Sequence, residues 1–67
     1  MVAVKQNGVF AEFWINGACV WSVNMTAITT HQELAATTQS LHADFEWFQG
    51  EVMREFERMV ERRLNRF

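Results

Sequence analysis

Two Asn-Gly pairs, Asn7-Gly8 and Asn16-Gly17, constrain what the first third of this chain can become. Each sits between runs rich in Val, Phe, Trp and Ile, and Asn-Gly suits the two-residue type I′ hairpin, whose central residues both need positive φ. The pairs predict three strands, near residues 2 to 6, 9 to 15 and 18 to 25, with Gln6 facing Val9 and Ile15 facing Ala18. Residues 1 to 26 therefore read as an antiparallel β-meander.

Side chains alternate between the faces of a strand, so this register sorts the residues. One face carries Val2, Val4, Val9, Ala11, Phe13, Ile15, Ala18 and Val20, with Gln6, Ser22 and Asn24 toward its ends. The other carries Phe10, Trp14, Cys19, Trp21, Val23 and Met25, with Ala3, Lys5 and Glu12 among them. A sheet apolar on both sides needs two covers. The chain's own helices supply one, and a second subunit or a protein partner is expected to supply the other.

Residues 30 to 66 read as helical. Thr30-His31-Gln32-Glu33 has capping-box spacing, and Leu41, Phe45, Phe48, Val52, Phe56, Met59 and Val60 recur at steps of three and four. One helix from residue 31 onward would be roughly 55 Å long at about 1.5 Å per residue. Thr37, Thr38, Gln39 and Ser40 are poor helix formers and Ser40 can cap a new start, so a break near 37–40 is expected. The predicted fold class is α+β, a single domain in which the meander is followed by a short helix and a long amphipathic C-terminal helix from about 41 to 65.

Composition narrows the function classes. A chain of 67 residues has little core, and such chains usually gain stability from disulfides, a metal or a second subunit. Cys19 is the single cysteine, so no internal disulfide forms and a reducing compartment, the cytoplasm, is expected. The early apolar run is broken by Lys5, Gln6 and Asn7, which argues against a leader or membrane span. A formal charge of −2 gives no general pull toward phosphate backbones.

Candidate sites are weighed on the same terms. Phe10, Trp14 and Trp21, expected on one sheet face, resemble in kind the stacking platforms of single-stranded nucleic-acid binders, but Lys5 is the only cation nearby. Trp47 is either an interface anchor or a cover on the sheet. Glu12, expected cross-strand from Trp21, has no second acid or nucleophile beside it and reads as an edge charge or a partner of Lys5. Cys19 has no basic neighbour to activate it and reads as a small hydrophobe. His31 and His42 are too far apart along a helix to share a metal, and His42 with Glu46 supplies only two ligands. Arg54, Arg58, Arg62, Arg63 and Arg66 form the one basic region, interleaved with Glu51, Glu55, Glu57 and Glu61, as on a solvated face.

No catalytic set, cofactor motif or metal-ligand set emerges. The expected function is a small non-enzymatic protein-protein interaction module (inhibitor, adaptor or assembly factor), acting as a homodimer or on a protein partner. Its expected contact residues are Phe10, Trp14, Trp21, Trp47 and the five arginines. The alternative is a nucleic-acid-binding protein using the arginine-bearing helix or the aromatic sheet face, and a third possibility is a subunit of a larger assembly.

Overall fold

The computed structural model describes residues 1–66. Its elements follow the predicted order: strands β1 (Val2–Asn7), β2 (Phe10–Ile15) and β3 (Ala18–Asn24), a 3-10 turn (Met25–Ala27), and helices α1 (His31–Asp44) and α2 (Glu51–Leu64). The sheet is antiparallel in the order β1-β2-β3, so the class is α+β with a meander.

The second hairpin closes as expected. Asn16 and Gly17 have φ of 51° and 83°, the two positive values of a type I′ turn, and Ile15 pairs with Ala18. The first hairpin closes one residue later than predicted. Asn7 pairs with Phe10, the loop is Gly8-Val9, and within it only Gly8 has positive φ, the pattern of a type II′ turn. Gln6 accordingly faces Ala11 rather than Val9. This moves the pairing by two positions, an even number, so each side chain of β1 and β2 keeps its predicted face.

β3 departs further from expectation. Trp14 pairs with Cys19, yet Phe13 pairs with Trp21, so Val20 is an extra residue in a β-bulge. One inserted residue reverses the alternation beyond it. Trp21 and Val23 stand opposite Phe13 and Ala11, on the side that faces the helices, while Ser22 and Asn24 pair with Glu12 and Phe10 on the outer side. The predicted aromatic face is therefore corrected: Trp21 and Val23 leave it, and polar residues replace them. The bulge brings the apolar-polar alternation of Trp21-Ser22-Val23-Asn24 into phase with Ala11 and Phe13.

The predicted capping box forms at the start of α1. Thr30 Oγ1 accepts from the Glu33 backbone N–H at 3.0 Å, and the Glu33 carboxylate reaches back past Thr30 to Thr29. The Thr29 hydroxyl and backbone N–H donate to Glu33 Oε1 at 2.5 and 3.1 Å, and the Thr30 hydroxyl donates at 3.3 Å. These bonds, the Thr29 hydroxyl first, hold the Glu33 carboxyl below the usual glutamate value against the opposing effect of desolvation. A carboxyl depressed in the folded chain stabilises it above the unfolded-state pKa, and that contribution disappears as pH falls through the folded-state value. Carbon-detected NMR titration is expected to show Glu33 titrating at lower pH than in an unfolded peptide, and Thr29→Val is expected to shift it upward. A normal Glu33 titration would remove this cap.

The break between the helices lies at residues 45–50, not near 37–40. Thr37 and Thr38 are helical nonetheless, with their hydroxyls turned back onto the carbonyls of Glu33 and Ala35 at 2.8 and 2.9 Å, and Thr38 is buried in line with Leu34 and Leu41. The chain turns instead at Gly50, whose φ of 60° and ψ of −128° suit glycine alone. Both helices consequently have 14 residues, so the C-terminal one is shorter than expected. Phe45 and Phe48 belong to the connection, and the apolar stripe of α2 itself is Val52, Phe56, Met59 and Val60.

Both helices contribute to the core on the Ala11 and Phe13 side of the sheet. Leu34, Thr38 and Leu41 of α1 are buried at helical spacing. Phe13, Phe48, Phe56, Met25 and Val60 have essentially no exposed surface, and Val2, Val4, Val23, Phe45, Trp47 and Leu64 pack around them half-covered. Among the described residues no helix is long and apolar enough to cross a membrane.

Candidate interaction surface

The aromatic residues divide into two groups. On the helix side the rings form a continuous path from the sheet edge to the core. Trp21 lies 5.1 Å from Phe45, Phe45 stacks on Trp47 at 4.8 Å, and Trp47 lies 5.2 Å from Phe13. Phe13 then meets Phe48 and Phe56 at 5.5 and 5.6 Å. Trp47 is thus a cover on the sheet, the second of the two roles expected for it, and it sits in the connection between α1 and α2.

On the outer side, Phe10, Glu12 and Trp14 alternate along β2. The Lys5 ammonium lies 4.9 Å from the centroid of the Trp14 ring, a cation-π arrangement. Trp14 Nε1 donates to Glu12 Oε1 and Asn7 Nδ2 donates to Glu12 Oε2, each at 3.4 Å. Glu12 faces Lys5 on one strand and Ser22, not Trp21, on the other. The expected stacking platform of Phe10, Trp14 and Trp21 is not assembled, because the bulge puts Trp21 on the opposite face.

Among the described residues, and apart from the fully exposed Met1, large apolar side chains stand in water at two places. Phe10 follows the tip of the first hairpin and is 43% exposed, beside the exposed Val9. Val20 and Trp21, at the bulge of edge strand β3, are 43% and 47% exposed. Val20 and Val9 were missed as surface residues because the regular register assigned both to the core face. For Val20 the available signal was the broken alternation of Ala18-Cys19-Val20. Cys19, read as a small hydrophobe, is an exposed free thiol on the same strand, and its Sγ lies 3.5 Å from the Trp21 carbonyl.

The arginines do not converge on one surface. Arg58 pairs with Glu55 at 2.7 Å and Arg54 more loosely with Glu51 at 3.9 Å, both on the solvated side of α2. Arg62 Nε donates weakly to the Arg58 carbonyl at 3.5 Å. Arg63 instead borders a groove of about 470 Å³ with Met25, Ile28, His31 and Leu64, while Arg66 is exposed beyond the last turn of α2. His31 and His42 lie toward opposite ends of α1, and among the described residues no three potential metal ligands cluster.

The chain matches no protein-family model, no curated protein and no solved structure. Its functional reading therefore rests on its own surfaces.

Proposed function

We propose that this chain is a small, non-enzymatic protein-interaction module of the cytoplasm, an inhibitor, adaptor or assembly factor that acts as a homodimer or on a protein partner. The observation that supports it best is the apolar surface at the β3 edge, where Trp21 and Val20 stand almost half in water. Tryptophan buries much area with few rotatable bonds, which makes it a frequent anchor of interfaces. Phe45 holds one side of the Trp21 ring, so a partner meets an anchor already partly ordered and less freedom is lost on binding. Phe10 is a separate exposed apolar side chain, on the other face of the sheet beside the first hairpin.

The test begins with capture of a partner from the native host and continues with the purified pair. Trp21→Ser is expected to weaken binding by roughly tenfold or more, the scale of an interface anchor. Sedimentation in parallel reports self-association. A monomer at high concentration, with every recovered partner binding the Trp21→Ser variant as tightly as the original, would rule the reading out.

A further inference from the structure

We propose that β1 is a self-pairing edge, along which a second copy of this chain adds its own β1 antiparallel, centred on Val4, to make one continuous six-stranded sheet. The inference rests on the homodimeric form of the proposed function and names its contact.

The two edges of the sheet are not equivalent. In a two-residue hairpin the closing pair exchanges both of its hydrogen bonds, and bonded and non-bonded pairs then alternate along the ladder. Asn7 and Phe10 close the first hairpin, so Asn7, Lys5 and Ala3 direct their peptide groups toward β2. Val2, Val4 and Gln6 direct theirs outward, at the even spacing that another strand requires. On β3 the outward residues are Cys19, Ser22 and Asn24, and the bulge leaves the first two three positions apart, which breaks the even spacing in the middle of that edge. A bulge is one of the devices that keep edges from pairing, and β3 has it while β1 does not.

The side chains of β1 select the register. Centring on Lys5 sets the two lysines opposite one another, and like charges directly across a sheet are unfavourable. Centring on Gln6 runs Val4 against the Gly8 turn, and centring on Ala3 pairs only residues 2–4 of the two strands. Centring on Val4 uses residues 2–6, bonds Val2 to Gln6 of the second copy, and sets Lys5 against Ala3. It also brings the Val4 side chains together on the helix side. Val2 and Val4 are only half-covered there, so pairing completes their burial.

The experiment combines sedimentation with hydrogen exchange, on the full chain and three variants. The original chain is expected to dimerise, with the Val4 amide slow to exchange in the dimer and fast after dilution, while the Lys5 amide stays slow in both. Val4→Pro removes an outward N–H that the protomer does not use and is expected to give a folded monomer. Ala3→Lys is expected to weaken the dimer by roughly fivefold or more, and Ala3→Glu to leave it equal or tighter, through pairing across the strands with Lys5 of the other copy. If Val4→Pro fails to fold, the Ala3 pair and the Val4 amide decide. A dimer indifferent to these variants, with a fast Val4 amide, overturns β1 pairing and leaves the homodimer to another surface. A monomer at hundreds of micromolar overturns it as well, and the partner-capture arm then judges the broader reading alone.

Discussion

Phe13→Ala is expected to remove about 3–5 kcal/mol, a large part of the stability a domain this small can have. The Phe13 ring is fully buried and touches three other aromatic rings, Trp47 from the connection, Phe48 beside it and Phe56 from α2. Truncating a buried phenylalanine costs about 3–5 kcal/mol, through lost transfer energy and the cavity that remains. A domain of this size has a total stability of only about 3–10 kcal/mol, at roughly 0.05–0.15 kcal/mol per residue. Chemical denaturation followed by tryptophan fluorescence is the measurement, since Trp47 lies on the same ring. A sigmoidal transition within 1 kcal/mol of the original would mean that Phe13 does not occupy the centre assigned to it.

Gly50→Ala is expected to destabilise by about 1–3 kcal/mol, although there is room for the methyl group, since a Cβ built at Gly50 meets nothing within 4 Å. The cost is conformational. With φ of 60° and ψ of −128°, Gly50 occupies backbone space that an L side chain strains to enter, and it starts α2 without a side-chain cap. The chain is short enough for chemical synthesis, so D-alanine provides the control: it accepts this backbone and is expected to match or exceed glycine in stability. Equal melting temperatures for the L-alanine and glycine chains would place the reversal of direction elsewhere than Gly50.

What could be read in advance follows the range of the forces concerned. Asn16-Gly17 and Thr30 with Glu33 act within four residues, and the turn and the cap stand where local chemistry put them. The break between helices was misplaced because Phe45 and Phe48 continue the three- and four-residue rhythm from Leu41 to Val52 while lying in a loop. Rhythm records burial, and a loop folded over a sheet buries residues as well as a helix does. Gly50, the only glycine after Gly17, was the available signal. The bulge at Val20 was hidden for the opposite reason. Nothing local demands it, and it follows only when all three strands are aligned to one helix-bearing side. Of the contact residues named from sequence, Phe10 and Trp21 are half in water, whereas Trp14 is held by Lys5 and Glu12 and Trp47 covers Phe13.

The distribution of buried rings along the chain also orders events during synthesis. The meander precedes the helices along the chain and leaves the ribosome before they do, and its hairpins need only neighbouring residues to form. Phe13 then has to wait for Phe48 and Phe56, more than half the chain later, before anything shields it. A nascent chain whose meander has emerged while Phe48 and Phe56 have not displays a sticky aromatic ribbon, which makes that interval the moment at which aggregation is most to be feared.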